Sequence, residues 1–208
     1  MKNYFDLLEQ KDAQIVRAFN EDVKFFKDLT YNEKGSKIDA TAYTKRGKKV
    51  HIEIKQRTGE RYGKFKNFAE EFDTIFLDTG KLDWFSKIMS SGYSLNEKEL
   101  FISIFDNGDT ILIHDLNKPQ LIEWLPNQRI YNPGTKKWET EHRIGLYIYN
   151  AIIYQKDDDG HYRRWTDEEI YNLTEKQRKY LKKYNDWLLI VLIFLLLFIG
   201  NNRFIKDR

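Results

Sequence analysis

The feature that most constrains the fold is a pair of short runs in which apolar and polar side chains alternate. The first run covers residues 36–44 and the second covers residues 48–56, and only Lys45-Arg46-Gly47 separates them. Strict alternation over runs of this length predicts half-buried strands, and a connection this short predicts that they pair as a hairpin. The chain is therefore expected to fold around a β-sheet that contains this hairpin.

The hairpin predicts which polar side chains meet. Ile52 and Ile54 alternate with Glu53 and Lys55, so the two polar residues share the sheet face that points away from the core. Asp39 alternates with apolar neighbours in the first run and is expected on the same face. Two carboxylates and an ammonium group should thus lie together.

The flanking segments place this hairpin in an α/β fold, with α+β as the alternative. An Asn-Gly pair between two apolar runs is a strong signal for a further hairpin at residues 106–109. The predicted elements are a helix over residues 3–20, strands over 23–29, 36–44, 48–56 and 74–78, a short helix over 81–89, strands over 101–105 and 110–114, and a strand over 146–154 within a region of loops at 127–165.

Composition narrows the chemistry that such a site can perform. The chain has no cysteine, which excludes disulfides, thiolate zinc sites and cysteine nucleophiles. Its four histidines are scattered without the spacing of a zinc-binding motif, and no phosphate-binding glycine loop, dinucleotide-binding pattern or serine-hydrolase elbow is present. Metal chemistry in this chain would have to use oxygen or imidazole ligands.

Asp39 and Glu53 suit a hard divalent cation. Two neighbouring carboxylates repel each other unless a cation lies between them, and Mg²⁺ or Mn²⁺ is bound through one or two carboxylates plus water and substrate phosphate. Lys55 would then lie beside a metal-bound water, which points to hydrolysis of a phosphodiester. The alternative is an ordinary cross-strand ion pair on a solvated face, worth about 0 to 1 kcal/mol.

The charge distribution supports a polyanionic substrate. The stretch from Lys34 to Lys66 holds eleven basic and three acidic residues, a local net of +8 in a chain whose net charge is +3. Such a basic surround is typical of a surface that binds nucleic acid, although a solvated basic hairpin is the alternative. The candidate phosphate contacts are Lys45, Arg46, Lys48, Lys49, Arg57, Arg61 and Lys64.

The acidic residues and their spacing resemble those of a known superfamily. Asp39 is followed after thirteen residues by Glu53-Ile54-Lys55 on a hairpin, with a helix carrying Glu9 upstream. Over residues 3–115 this is similar to the PD-(D/E)XK nucleases, which include restriction endonucleases, Holliday-junction resolvases and small phage nucleases. The resemblance implies a restriction-endonuclease-like fold, in which helices flank a central mixed sheet.

The resemblance also implies a role for individual residues. Glu21 is the alternative to Glu9, and Ile38 stands where the name of the motif has proline. The implied roles are Asp39 and Glu53 as metal ligands, Lys55 as the base that positions water, Gln56 as an accessory active-site residue, and Glu9 as a third carboxylate on the metal.

The C-terminal region predicts a different kind of segment. Residues 187–199 are thirteen consecutive apolar residues with basic residues on both sides. As a helix they would span about 20 Å, less than the roughly 30 Å of a bilayer core, so a short tail anchor in a thinned bilayer is favoured and a buried core or oligomer helix is the alternative. The expected organisation is a nuclease-like domain at 1–120, an aromatic and charged extension at 121–165, a cationic helix at 166–185 and a hydrophobic tail helix at 186–208.

The sequence thus predicts a Mg²⁺- or Mn²⁺-dependent endonuclease that acts on nucleic acid, with DNA favoured over RNA. The alternative is a non-catalytic, membrane-tethered protein that binds nucleic acid or serves as a scaffold. No targeting segment is expected at the N-terminus, and the basic residues before the tail favour a cytoplasmic main domain, tail-anchored to the membrane. Whether the chain forms a homodimer is left open.

Overall fold

The computed structural model describes residues 4–33, 36–59, 63–78, 97–118, 122–132, 136–173 and 175. The chain divides into two units, Met1–Asp167 and Glu168–Arg208. All the strands described below belong to the first unit, and in the second only a helical segment at its start is described.

The first unit is a mixed α/β structure with few helices. Two single turns of 3₁₀-helix, Asp106–Gly108 and Ile148–Asn150, interrupt the strand order. The remaining elements are α1 (Tyr4–Val23), β1 (Lys27–Tyr31), β2 (Ala40–Tyr43), β3 (Lys49–Gln56), α2 (Phe65–Glu71), β4 (Thr74–Asp78), β5 (Glu97–Phe105), β6 (Thr110–Asp115), β7 (Ile122–Asn132), β8 (Lys137–Tyr147), β9 (Ile152–Lys156) and β10 (Tyr162–Arg164).

A seven-stranded mixed sheet organises the unit, with the order β1-β2-β3-β5-β6-β9-β10. Every neighbouring pair is antiparallel except β3 and β5, which run parallel with Glu53 opposite Phe101 and Lys55 opposite Ser103. A parallel pair needs a long crossover connection, and the chain between β3 and β5 includes α2 and β4. Strand β3 is an interior strand of the sheet, paired with β5 over residues 49–56 and with β2 over residues 49–52.

Helix α1 covers one face of this sheet because the apolar residues of β3 alternate onto that face. Ile52 is fully buried there, and Val16 and Phe19 of α1 pack into the same core. Gly108, which has a φ of +110°, lets the β5–β6 turn approach the helix, since a Cβ at this position would lie 2.9 Å from Ile15 Cγ2. The helix is thereby fixed across the sheet.

The opposite face of the sheet contacts α2 and a second, three-stranded sheet of order β4-β8-β7. Phe65 and Phe68 of α2 pack edge-on or tilted against Phe105 of β5, with ring centroids 5.3 and 5.1 Å apart. His114 of β6 donates a hydrogen bond of 3.1 Å from Nε2 to the backbone oxygen of Tyr147 of β8. A hydrogen bond thus joins the two sheets, and α2 packs on the larger sheet through aromatic contacts.

The mixed α/β class and the elements of the N-terminal half agree with the sequence predictions. The helix, the β2–β3 hairpin, the strand at 74–78 and the turn at Asp106–Gly108 are present. The strand predicted from residue 23 begins at Lys27 instead, because α1 continues to Val23 and the side-chain oxygen of Asn20 accepts a 2.7 Å bond from the Phe26 amide.

The region expected to form mostly loops at 127–165 is where the sequence prediction was wrong. Residues 121–165, expected as an extension, contribute the β7–β8 hairpin and the strands β9 and β10, and the last two belong to the seven-stranded sheet. The predicted strand at 146–154 is divided between β8 and β9 by the turn Ile148–Asn150. The helix predicted at 81–89 lies outside the described residues.

The predictions for the C-terminal tail also lie outside the described residues, which end at 175. Among the described residues, no helix is long and apolar enough to cross a membrane.

Candidate functional site

Asp39 is held against β3 by two hydrogen bonds. Regular pairing of β2 with β3 ends at Ala40 opposite Ile52. Beyond that pair, the Asp39 amide donates to the Ile52 oxygen at 3.1 Å, and the Asp39 Oδ2 accepts a 2.7 Å bond from the Ile54 amide. The carboxylate therefore takes the place of a backbone carbonyl in the ladder, which puts Oδ2 within about 5 Å of the Glu53 Cα.

Glu53 and Lys55 project from the same strand on either side of that hydrogen bond. Ile52 and Ile54 are buried beneath α1, so Glu53 and Lys55 point to the opposite face, where Glu53 is half-buried and Lys55 is exposed. The Asp39 carboxylate therefore lies at the Ile54 amide, and Glu53 and Lys55 are the strand positions on either side of it. The half-buried carboxylate and the exposed ammonium leave one side of this cluster open to solvent.

Gln56 ends β3 next to this cluster and opposite Ile104 of β5. Both the nitrogen and the oxygen of its side-chain amide are buried, and neither has a hydrogen-bond partner among the described residues. An unpaired buried amide is costly, about 1 to 3 kcal/mol for each unsatisfied group, so such groups are rare in folded proteins. Gln56 thus has hydrogen-bonding capacity that the described part of the fold does not use.

Glu9 lies in α1 one turn before Ala13, and its side chain is outside the described part of the structure. The backbone oxygen of Ala13 accepts a 2.9 Å bond from the hydroxyl of Tyr31. Asn32, the next residue, donates its amide to the Asp39 oxygen at 2.9 Å. This part of α1 therefore passes over the strand end that leads to Asp39.

Asp39 and Glu53 could bind a hard cation, but they would supply only two protein ligands. Among the described residues, no group of three or more histidine, aspartate or glutamate side chains could hold a metal ion. Asp39 and Glu53 supply two carboxylates, which is the number through which Mg²⁺ is commonly bound when water and substrate phosphate complete its shell. The chemistry of the donors therefore suits Mg²⁺ or Mn²⁺ and does not suit zinc.

The basic residues do not form a ring around the acidic cluster. Lys45, Arg46 and Lys48 are exposed at the β2–β3 turn, and Lys49 is half-buried at the start of β3. Lys49 and Lys55 are six residues apart on one strand, a separation of about 20 Å. The turn thus forms a separate basic patch, distant from Lys55.

Two of the other basic candidates, Arg57 and Lys64, follow β3 in the chain. Lys64 is exposed just before α2, with its Nζ 3.9 Å from Asp106 Oδ1, and Arg61 lies outside the described residues. Arg57 turns inward, because its Nη2 donates a 3.0 Å bond to the Phe76 oxygen of β4 and its Nε is buried. Burial, with a smaller contribution from the charge of Arg143, lowers the pKa of Arg57 to about 10. In this structure Arg57 links the two sheets, which differs from the expected surface contact.

A second polar cluster borders β3, and sequence reasoning missed it. His51 is only 6% exposed, and the Glu97 carboxylate lies 3.2 Å from its Nε2. Glu99 is buried, accepts a hydrogen bond from the Asn117 side chain, and has a pKa that burial raises. No local signal indicated this cluster, because it depends on the parallel pairing of β3 with β5.

Ser103 is a further buried polar residue close to the site. It lies opposite Lys55 in the parallel ladder, is fully buried, and its hydroxyl has no hydrogen-bond partner among the described residues. The neighbouring strand therefore has a small side chain at the position beside Lys55.

No family model matches the chain, and no curated protein and no solved structure is significantly similar to it. The function has to be argued from the geometry of the site.

Proposed function

We propose that this protein is a Mg²⁺- or Mn²⁺-dependent endonuclease that hydrolyses phosphodiester bonds in nucleic acid, with DNA favoured over RNA. The observation that carries the proposal is the hydrogen bond from the Ile54 amide to the Asp39 carboxylate. It brings a second acidic side chain from another strand to the point on β3 where Glu53 and Lys55 flank Ile54. This convergence is what metal-assisted phosphodiester hydrolysis requires.

The finer fold assignment also belongs to this proposal. A mixed sheet with α1 packed on one face and α2 on the other supports a restriction-endonuclease-like arrangement. The acidic cluster lies on two adjacent strands of the sheet, where the hairpin strand β3 also pairs with the parallel strand β5. These features agree with the resemblance drawn from the sequence over residues 3–115.

Each residue of the cluster has a distinct role in the proposed reaction. Asp39 and Glu53 would hold the metal, and the Ile54 amide keeps the Asp39 carboxylate oriented. The bound metal would lower the pKa of water and stabilise charge that develops on phosphate. Lys55 is exposed and on the face of Glu53, so its ammonium can position the attacking water and stabilise a phosphate oxygen. Gln56, the accessory residue that the resemblance implies, alternates onto the face of Ile54, so its buried, unpaired amide lies on the other side of the strand from Glu53 and Lys55.

One observation favours the second candidate function, a protein that binds nucleic acid without cleaving it. The basic patch at the β2–β3 turn is about 20 Å from Lys55, so binding at that patch does not depend on the acidic cluster. In that case Asp39 and Glu53 would form a polar surface with a structural role only. A tail anchor formed by residues 186–208, with a cytoplasmic main domain, remains a prediction from the sequence and would apply to either function.

Cleavage assays on the full chain separate the two candidates. The purified protein is incubated with single-stranded, duplex and branched DNA and with RNA, with Mg²⁺, with Mn²⁺, or with EDTA. We expect cleavage only with a divalent ion, and a loss of about 100-fold or more in Asp39→Asn and Lys55→Ala. Lys118→Ala, which removes an exposed lysine of the turn after β6, is the matched control and should cleave normally.

The choice of asparagine protects the test from a folding artefact. In Asp39→Asn the side-chain amide oxygen can still accept the hydrogen bond from Ile54, so the variant should keep the melting temperature of the wild type while losing the charge. Metal-dependent cleavage that persists in both Asp39→Asn and Lys55→Ala would overturn the proposed active site.

A further inference from the structure

Tyr43 is an unusually exposed aromatic residue between two lysines. It is 42% exposed, whereas most large apolar side chains of the described residues are buried or half-buried. In the antiparallel ladders Tyr43 lies opposite Lys27 of β1 on one side and opposite Lys49 of β3 on the other. Directly opposed residues in such ladders project from the same face with Cβ atoms about 5 Å apart. The Tyr43 side chain therefore has a lysine as its neighbour on each adjacent strand.

This triplet shares its sheet face with the proposed reaction centre. Lys49 and Glu53 are four residues apart on the continuous strand β3, and an even separation puts both side chains on one face. The distance along the strand is about 13 Å. That is about four base-pair steps of 3.4 Å in B-form DNA. A nucleic acid strand bound at the centre would reach Tyr43 within a few nucleotides.

The surface between Tyr43 and Glu53 carries short, polar side chains. Thr30 of β1 and Thr41 of β2 lie opposite each other there, the first exposed and the second half-buried. His51 of β3 lies on the same face, opposite Thr41, where it is buried and engaged with Glu97. Short hydroxyl side chains leave room for a sugar-phosphate backbone to follow the strands.

The hairpin that carries Tyr43 is basic, although Glu97 of β5 lies opposite Lys49. Between Ala40 and Ile52 the chain has no acidic residue and four basic ones, Lys45, Arg46, Lys48 and Lys49. An exposed aromatic ring inside a cationic surface is the combination that proteins use to bind single strands, since bases stack on the ring and phosphates contact the cations. A base within a duplex is already stacked on its neighbours and cannot offer its face to the ring.

We propose that Lys27, Tyr43 and Lys49 form a subsite that stacks one unpaired base and binds its flanking phosphates, so that the substrate of this protein carries a single-stranded segment next to the cleaved bond. The location beside a cleaved bond rests on the proposed endonuclease function. The stacking subsite itself is a property of the β1–β2–β3 surface and can be measured without cleavage.

Binding of the full chain is measured in EDTA with the Glu53→Gln variant, which excludes cleavage. The probes are a fluorescent oligothymidylate of about 15 nucleotides and a blunt duplex of the same length. Adding Tyr43→Ala should weaken single-strand binding by about 5- to 150-fold, the range measured for the loss of one stacked base. Duplex binding should change less than about twofold, because the phosphate contacts remain.

Two further variants isolate stacking from folding and from general surface effects. Tyr43→Phe keeps the ring and should bind the single strand like the parent. Tyr171→Ala removes a tyrosine of similar exposure, 45%, in the other unit and should leave binding unchanged. Lys27→Gln and Lys49→Gln should each reduce the salt dependence of single-strand binding by about 0.7 in slope, as expected for the loss of one phosphate contact.

The outcomes distinguish this inference from the proposed function. If Tyr43→Ala binds the single strand as tightly as Tyr43→Phe, or loses single-strand and duplex binding equally, the stacking subsite is overturned even if the wild type cleaves DNA. If single-strand binding depends on Tyr43 but no divalent ion produces cleavage, the subsite stands and the endonuclease proposal fails.

Discussion

The Asp39 Oδ2 lies 2.7 Å from the backbone nitrogen of Ile54, so a side chain completes the β2–β3 ladder where the backbone of β2 turns away. The same contact serves two purposes. It satisfies a backbone amide at a residue that is only 9% exposed, and it holds a carboxylate between Glu53 and Lys55. The stability of the fold therefore depends on the Asp39 side-chain oxygen as a hydrogen-bond acceptor, whereas the proposed chemistry depends on the negative charge of Asp39.

We expect Asp39→Ala to lower the free energy of unfolding by about 1 to 3 kcal/mol, because it leaves the Ile54 amide buried without a partner. Asp39→Asn should cost less than about 1 kcal/mol, since its amide oxygen can accept the same bond. Urea denaturation of both variants measures the difference. Equal stability of the alanine and asparagine variants would show that the hydrogen bond contributes nothing to the fold.

A divalent ion should stabilise the folded protein through Asp39 and Glu53. Ligand bound only by the folded state raises stability by about 2.7 kcal/mol at a concentration of 100 times its dissociation constant. The melting temperature of the wild type should therefore rise with Mn²⁺ or Mg²⁺, and that of Glu53→Gln should not. Glu33→Gln, which removes an exposed acid after β1, is the control and should respond like the wild type. The same shift in Glu53→Gln would exclude this carboxylate as a ligand.

Gln56 allows stability and activity to be separated. Replacing the buried amide with leucine, which has a similar volume, removes two unsatisfied polar atoms, so Gln56→Leu should be as stable as the wild type or more stable. If the amide contacts substrate or water, the same variant should lose about tenfold or more in kcat with its fold intact. Denaturation curves and cleavage rates test the two parts. A marked loss of stability would show that the amide is paired in the folded protein.

His114 should make stability depend on pH. Burial lowers its pKa to about 4, and the neutral ring donates from Nε2 to the Tyr147 oxygen. Because the folded pKa lies below the unfolded value of about 6.5, this contribution is complete above about pH 6.5 and is lost as the pH falls toward 4, by about 3 kcal/mol in all.

The comparison of wild type with His114→Gln isolates this effect from the titration of carboxylates. Urea denaturation between pH 7 and pH 4 should show a larger loss of stability in the wild type than in the glutamine variant. Parallel curves for the two proteins would mean that His114 does not titrate in this range.

Local patterns were enough to predict the elements that surround the site. The alternation of Ile52 and Ile54 with Glu53 and Lys55 predicted β3 and its two faces, and the short link at Gly47 predicted the hairpin, where a φ of +82° suits glycine. The helix predicted over residues 3–20 corresponds to α1. These signals are local because each depends on the repeat of one strand or helix against a single apolar layer.

Other features depend on which distant segments meet. The burial of His51 follows from the pairing of β3 with β5 across a connection of forty residues, 57–96, and the inward turn of Arg57 follows from the position of β4. The basic residues are spread along about 20 Å of the hairpin, and this distribution could be predicted only from the strand register, because a count of charges does not give their positions. A periodic pattern specifies how a segment presents its own two faces, but it carries no information about the partner that covers each face. For this reason the sequence alone predicts that Asp39, Glu53 and Lys55 share one face of the sheet. Only the register of the folded sheet shows that Tyr43, Lys27 and Lys49 lie on that same face.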